Sequence, residues 1–138
     1  MRGEDGEAGA GRSSDAVQPA VLVVDDELPV ARSTERILAR RGYRITVAGG
    51  GREAIAQAEA HPFDVIVSDL GMPDVDGREL LRAIRAKDLD VPFVFLTGRP
   101  DLESAIDAIE HGAFRYLVKP VAPDALMGML AELQKGEG

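Results

Sequence analysis

Short apolar runs alternate along the chain with segments in which apolar residues recur every three or four positions. The runs have the length and composition of buried strands, and the recurring pattern is that of helices packed on one side. Such an alternation is typical of an α/β fold, in which a parallel sheet is covered by helices on both faces. The predicted strands are Val21–Val24, Arg44–Ala48, Val65–Val67, Phe93–Leu96 and Tyr116–Val118.

A helix is predicted after each of these strands. The first begins near Pro29, a residue favoured in the first helical turn, and stops at Gly42. The sequence therefore predicts five strand–helix units in succession. The side chains predicted to face inward are Val30, Thr34, Ile37 and Leu38; Ala54, Ile55 and Ala58; Leu80, Leu81 and Ile84; Ala105, Ile106 and Ile109; and Leu126, Met127, Leu130 and Leu133.

The alternating pattern extends over residues 20–133, which is enough chain for one hydrophobic core and too little for two domains. Residues 1–19 contain four glycines and almost no large apolar side chain, so we expect a flexible tail there. Residues 134–138 lack an apolar pattern and are expected to form a short C-terminal tail. The first residues also lack the apolar core of a signal peptide, which favours a cytoplasmic protein.

Charge and composition exclude several classes of function. The 24 Asp and Glu residues outnumber the 16 Lys and Arg residues, giving a net charge of -8, so direct nucleic-acid binding is not expected. No apolar run approaches the roughly 20 residues that a membrane-spanning helix needs. The absence of cysteine excludes disulfides and a thiol nucleophile. The two histidines, His61 and His111, are interpreted as helix-end residues and not as a metal pair.

Acidic side chains follow two of the predicted strands. Asp25 and Asp26 come directly after the first strand, and Asp69 comes at the end of the third. In an open parallel sheet the ligand site lies beyond the carboxyl ends of the strands, so these carboxylates should meet there. Like charges about 4 Å apart repel by about 4 kcal/mol at an effective dielectric near 20, so the cluster needs a cation. Oxygen ligands without histidine or cysteine favour Mg²⁺.

Two further polar residues end strands at the same edge. Lys119 follows the fifth strand and could neutralise Asp69 or a phosphoryl oxygen, and Thr97 offers a hydroxyl group after the fourth strand. A carboxylate, a divalent cation, a lysine and a hydroxyl donor form a plausible site for phosphoryl transfer to a carboxylate.

Taken singly, each residue has a structural alternative. Asp25, Asp26 or Glu27 could cap the first helix, Asp69 or Thr97 could begin a turn, and Lys119 could lie over apolar surface. Their coincidence at one edge of the sheet favours the functional interpretation.

These residues stand in motifs by which the sequence resembles the receiver domains of two-component response regulators, over roughly residues 20–133. The resemblance implies a flavodoxin-like doubly wound sheet of five parallel strands in the order 2-1-3-4-5, with helices on both faces. The matching motifs are Val23-Val24-Asp25-Asp26-Glu27, Val67-Ser68-Asp69-Leu70-Gly71-Met72-Pro73 with Asp76-Gly77, Leu96-Thr97-Gly98, and Tyr116-Leu117-Val118-Lys119-Pro120.

Carried over by position, the resemblance implies that Asp69 accepts a phosphoryl group. Asp25, Asp26, Asp69 and the backbone carbonyl of Gly71 are then expected to hold Mg²⁺. Lys119 is expected to pair with the phosphoryl group, and its peptide bond to Pro120 is expected to be cis. Thr97 is expected to turn inward after phosphorylation, and Tyr116 to follow it as the second switch residue.

The same resemblance implies a sensor histidine kinase or a phosphotransfer protein as the phosphoryl donor. It implies an output domain or effector protein as the controlled partner, and a phosphorylation-dependent homodimer remains an open alternative. Such a domain is not an enzyme in the usual sense, because it catalyses only its own phosphorylation and dephosphorylation. Two other hypotheses remain: a magnesium-dependent phosphohydrolase, although Asp69-Leu70-Gly71 lacks the second Asp of that motif, and an unphosphorylated pseudo-receiver.

Overall fold

The computed structural model describes residues 18–98, 106–107, 109–110, 112–113, 115–119 and 122–136. The expected tail at residues 1–19 therefore lies almost wholly outside the described residues. The strands are β1 (Ala20–Val24), β2 (Arg44–Ala48), β3 (Val65–Asp69), β4 (Phe93–Thr97) and β5 (Arg115–Val118). The helices are α1 (Leu28–Ala39), α2 (Gly51–Ala60), α3 (Gly77–Ala86) and α4 (Pro123–Gly136).

The five strands form one parallel sheet in the order β2-β1-β3-β4-β5. This order confirms the predicted fold. From the interior strand β1 the chain moves outward to the edge strand β2, and it returns to the other side of β1 at β3. The order therefore reverses between β1 and β3, which is where open α/β sheets bind their ligands. Val24 lies opposite Ser68, so Asp25 and Asp69 follow paired residues at that position.

Side chains alternate between the two faces of the sheet, and each face has its own core. On one face Leu22, Ile66 and Phe95 pack against α2 and α3. On the other face Val23, Val67 and Val94 pack against α1 and α4. Burial on both faces explains why the central strands consist of continuous apolar runs. The predicted doubly wound arrangement is confirmed.

The face of α1 that is buried is narrower than the sequence predicted. Leu38 is fully buried, whereas Val30, Thr34 and Ile37 are only partly covered. Ala31, one residue after Val30, takes the second fully buried position, because it lies two turns before Leu38 on the same face. The prediction of four inward side chains was therefore wrong in detail.

Several element ends match their predicted signals. Gly42 has a φ of 91°, the left-handed conformation that glycine adopts at little cost after a helix. Between β4 and β5, where a helix was predicted, the described residues Ile106, Asp107, Ile109 and Glu110 are helical. Ile106 and Ile109 are exposed, so the prediction that they face inward was wrong. The last helix reaches Gly136, so residues 134–136 of the expected C-terminal tail are helical.

Candidate functional site

Asp25 and Asp26 stand at the carboxyl end of β1, directly before the turn into α1. Asp25 is only 4% exposed, and its backbone N–H donates to the carbonyl of Ala48. Its Oδ1 accepts a hydrogen bond of 2.9 Å from the backbone N–H of Glu27, which fixes the turn. Glu27 is the N-cap residue of α1, and no side-chain hydrogen bond caps this helix end. Helix capping therefore does not explain the acidic run.

The carboxylate of Asp69 meets these two at the switch point of the sheet. One carboxylate oxygen from each of Asp25, Asp26 and Asp69 can be chosen so that all three lie within 4.8 Å of one another. The Oδ1 of Asp69 also accepts a hydrogen bond of 2.9 Å from the backbone N–H of Leu70. The structure thus brings the predicted acidic cluster together.

Lys119 reaches into this cluster from the end of β5. Its Nζ lies 2.9 Å from Oδ2 of Asp25 and 3.7 Å from Oδ1 of Asp69. Its backbone N–H donates to the carbonyl of Thr97 over 2.8 Å, which extends the pairing of β5 with β4. The ammonium group therefore neutralises carboxylates, and the alternative that Lys119 lies over apolar surface is wrong.

Burial, followed by the negative charges of Asp25 and Asp26, raises the pKa of Asp69 above its ordinary value. Lys119 and the N–H of Leu70 act in the opposite direction and lower this pKa. The net rise follows mainly from burial, and three carboxylates stand beside a single lysine in this cluster. An additional cation is the natural counterpart of such a site.

The acidic cluster opens into a cleft of about 670 Å³ at the carboxyl edge of the sheet. Thr97 is buried at the end of β4 and lines this cleft together with Asp26, Asp69 and Gly71. Four of the predicted site residues therefore share one cavity. Asp25 and Lys119 stand beside it, and the Lys119 ammonium group approaches the carboxylates of Asp25 and Asp69.

The donor set of the cleft fits Mg²⁺. Three carboxylates can each offer one oxygen within a small volume, and neither histidine nor cysteine is among them. Oxygen-only ligands, with room for water, are what this ion prefers, whereas zinc prefers nitrogen and sulfur. Gly71 lines the same cleft, and a backbone carbonyl there would add a fourth oxygen.

Tyr116 lies in β5 and packs against the core formed with α2 and α3. Its hydroxyl group is buried and has no hydrogen-bond partner within the described part of the chain. The ring is thus already turned inward, which is the position the resemblance associates with the switched state. The expected cis bond between Lys119 and Pro120 lies outside the described residues.

Sequence reasoning assigned no contacts to two aspartates in the loop between β3 and α3, although Asp76 stands in one of the quoted motifs. Asp76 forms a capping box with Glu79: the Asp76 side chain accepts from the N–H of Glu79, whose side chain accepts from the N–H of Asp76. The spacing of these two residues is a recognised helix-start signal and could have found them. Asp74 binds α2 instead, and no local signal indicates a contact with residues 22 positions away.

Comparison with known proteins agrees with this geometry. Residues 21–131, most of the chain, match the family of the response regulator receiver domain. The chain belongs to this family.

Curated relatives and solved structures extend the match. The receiver is 38% identical over 120 residues to the transcriptional regulatory protein PrrA of Mycobacterium tuberculosis, a match over 87% of this chain and 52% of the relative. It is 33% identical over 110 residues to the transcriptional regulatory protein ZraR of Escherichia coli, covering 80% of this chain and 25% of ZraR. The chain thus spans about half the length of PrrA and a quarter of ZraR.

Solved receivers share the whole fold. The chemotaxis protein CheY4 of Vibrio cholerae superposes with a TM-score of 0.80 at 34% identity, covering 85% of this chain and 99% of CheY4. The receiver domain of the Francisella response regulator 1452 gives a TM-score of 0.82 at 32% identity, covering 88% of this chain and all of that one.

None of the described helices combines the length and the apolar composition that a membrane-spanning segment requires.

Proposed function

We propose that this receiver accepts a phosphoryl group on Asp69 from a phosphohistidine of a sensor histidine kinase or a phosphotransfer protein. One observation carries the proposal. Three carboxylates can place oxygens within 4.8 Å of one another, and the Lys119 ammonium group lies 2.9 Å from Asp25 and 3.7 Å from Asp69. This arrangement suits phosphoryl transfer, because catalysis of that reaction consists mostly of positioning and charge neutralisation.

In the proposed reaction a carboxylate oxygen of Asp69 attacks the phosphorus of the phosphohistidine. A phosphorus–oxygen bond forms, the phosphorus–nitrogen bond breaks, and its electron pair returns to the imidazole nitrogen, which takes a proton from solvent. Lys119 exchanges its contact with Asp69 for one with a phosphoryl oxygen, and the Thr97 hydroxyl group donates to another. Asp25 stays beside Lys119 and keeps the ammonium group at the strand end.

Asp25, Asp26, Asp69 and the carbonyl of Gly71 would hold Mg²⁺ in this site. When bound, the ion supplies positive charge that offsets the charge of the phosphoryl oxygens. The grouping of three carboxylates around one lysine, before any phosphoryl group arrives, supports this assignment.

Phosphorylation would act as a switch that controls an output domain or an effector protein. An aspartyl phosphate adds charge beside Thr97, and the backbone of Thr97 is bonded to Lys119 at the end of β5. Tyr116 lies in β5, three residues before Lys119. A shift of Thr97 would therefore also move the Tyr116 ring. The receiver would thus act as a regulator in the cytoplasm that catalyses only its own phosphorylation and dephosphorylation. A phosphorylation-dependent homodimer is an alternative form of output.

Intact-mass measurement after incubation with Mg²⁺ and acetyl phosphate tests this function. We expect one base-labile phosphoryl adduct that requires Mg²⁺, is absent from Asp69→Asn, and persists in Asp124→Asn, whose carboxylate is almost fully exposed on α4. No adduct on the native chain, with a sensor kinase also tried, would favour a pseudo-receiver. Steady release of phosphate over many turnovers would favour a hydrolase.

A further inference from the structure

Helix α2 receives its N-terminal cap from a distant loop. Its N-cap residue is Gly50, which has no side chain with which to accept the first backbone N–H groups. The carboxylate of Asp74, in the loop between β3 and α3, accepts them instead. The N–H of Gly51 donates to Oδ1 over 3.2 Å, and the N–H of Arg52 donates to Oδ2 over 3.1 Å.

The glycines before α2 allow this loop to come close. A Cβ atom on Gly50 would lie 3.0 Å from Oδ2 of Asp74. One on Gly51 would lie 2.5 Å from Cβ of Val75 and 2.8 Å from its carbonyl oxygen. Any larger residue at Gly51 would therefore push the loop away. The run Gly49-Gly50-Gly51, which does not fit a dinucleotide-binding motif, makes room for a loop of the same chain.

The backbone bonds are strong enough to influence the ionisation of Asp74. The N–H groups of Arg52 and Val75, followed by that of Gly51, lower the pKa of this carboxyl group below its ordinary value. The side chain is solvent-exposed, so these hydrogen bonds and not burial hold it in place.

The loop fastened by Asp74 also carries Gly71, which lines the acidic cleft. On the side of α3 the loop is held by the capping box of Asp76 and by a hydrogen bond of 2.7 Å from the N–H of Gly77 to the carbonyl of Leu70. The Asp74 carboxylate holds the loop from the other side, against α2. Without it, the segment between Asp69 and Asp76 would lose these two hydrogen bonds to the neighbouring helix.

We propose that Asp74 is a positioning residue for the acidic cleft: by fastening the Gly71 loop to α2, it sets the affinity of the cleft for a divalent cation. The proposal rests on the proposed function, because that function assigns the Gly71 carbonyl to the cation. Asp74 does not touch the cation itself. It acts as an outer partner that orients a ligand, a role whose loss typically weakens metal binding by about 10- to 100-fold.

The test is titration calorimetry with Mg²⁺ on the native chain, Asp74→Ala, Asp74→Asn and a matched control, Asp64→Ala. Asp64 also accepts a backbone N–H, that of Ala20 over 2.7 Å, but at the opposite edge of the sheet. We expect Mg²⁺ to bind about tenfold more weakly to Asp74→Ala. Asp74→Asn keeps one acceptor oxygen and should recover part of the affinity, while Asp64→Ala should bind like the native chain.

Amide exchange without Mg²⁺ gives a second measurement, which requires no metal. The N–H groups of Gly51 and Arg52 should exchange faster in Asp74→Ala, and those of α3 should not change. Phosphorylation by acetyl phosphate should be slower in Asp74→Ala at limiting Mg²⁺ and return to the native rate at saturating Mg²⁺.

The outcomes separate this inference from the proposed function. Equal Mg²⁺ affinities in the native chain and Asp74→Ala would overturn the inference alone. If Asp74→Ala does not fold, native Mg²⁺ affinity in Asp74→Asn despite faster exchange at Gly51 and Arg52 would overturn it as well. A native chain that binds no Mg²⁺ would overturn the proposed function and the inference together.

Discussion

The carboxylate of Asp69 stands in surroundings that disfavour its charge. Burial and two neighbouring aspartates raise its pKa, and Lys119 offsets only part of that effect. Replacement by asparagine removes the charge and keeps the shape, so Asp69→Asn should be more stable than the native chain at neutral pH. We expect a gain in the free energy of unfolding, because the cost of burying the charge, together with the repulsion from Asp25 and Asp26, exceeds the attraction of Lys119. Urea unfolding without Mg²⁺ measures it.

The pH dependence of this gain has a fixed sign. A carboxyl group whose pKa is raised in the folded state binds its proton more tightly there. The free energy of unfolding of the native chain therefore falls as pH rises from the unfolded-state pKa, about 3.9, through the folded-state pKa. The gain in stability of Asp69→Asn over the native chain should therefore be full above the folded-state pKa of Asp69. It should shrink as pH drops toward the unfolded-state pKa. Asp124→Asn serves as the exposed control and should show no such change. An advantage that grew in acid would contradict this account.

Tyr116 carries an unpaired polar group inside the protein. A buried hydroxyl group without a partner costs about 1–3 kcal/mol, and that of Tyr116 has none within the described residues. Tyr116→Phe removes only this oxygen, so we expect it to raise the free energy of unfolding by about 1 kcal/mol. Tyr43→Phe, at the opposite edge of the sheet, should give no comparable gain. A loss of stability in Tyr116→Phe would show that the hydroxyl group finds a partner in solution.

Individual site residues differ in how well the sequence predicts them. Asp25, Asp69 and Lys119 each end a strand, so their meeting follows from the parallel sheet alone. The contact of Asp74 with α2 does not follow from any strand or helix pattern, because it depends on how closely a loop approaches three glycines. The choice of Asp25 as the nearest partner of Lys119 likewise depends on side-chain geometry within about 1 Å.

At the level of elements, the junction between β3 and α3 is tightly packed directly beside the site. A Cβ atom on Gly77 would lie 2.6 Å from the carbonyl oxygen of Asp69 and 2.7 Å from Cε1 of Phe95. Gly77→Ala would therefore force β3 and α3 apart at the proposed phosphorylated residue. We expect a loss of about 1–3 kcal/mol in unfolding free energy, as for other overpacked positions, together with slower phosphorylation by acetyl phosphate.

Gly128→Ala is the matched control for this substitution. A Cβ atom on Gly128, in the middle of α4, would meet no atom of the described residues within 4 Å. Alanine is the better helix former, so this variant should gain roughly 0.5–1 kcal/mol and be phosphorylated at the native rate. Equal effects of the two substitutions would mean that packing under Asp69 does not matter.

The elements themselves follow closely from the sequence pattern. All five strands were predicted within two residues of their observed ends, because apolar runs of this length have few other structures available. The inward face of α1 was less predictable. Ala31 is fully buried there, whereas the larger Val30 is only partly covered. Which of the two is buried depends on the distance between helix and sheet, which the apolar pattern does not contain.

For the molecule as a whole, the two edges of the sheet have different chemistry. The carboxyl edge gathers Asp25, Asp69 and Lys119, whereas the amino edge has a cavity of about 390 Å³ lined by Tyr43, Phe63 and other side chains. The sheet joins both edges through continuous strands with a tightly packed core on each face. A change of charge at Asp69 should therefore rearrange the carboxyl edge, where polar contacts can exchange partners, and leave the packed amino edge as it is.

Hydrogen exchange under continuous acetyl phosphate and Mg²⁺ tests this division. Peptides that contain Thr97 and Tyr116 should change their exchange rates by about tenfold, which corresponds to about 1.4 kcal/mol in local opening. Peptides around Tyr43 and Phe63 should keep their rates, and Asp69→Asn under the same conditions should show neither change. If exchange altered equally at both edges, phosphorylation would loosen the whole core, and the switch could not be assigned to the ends of β4 and β5.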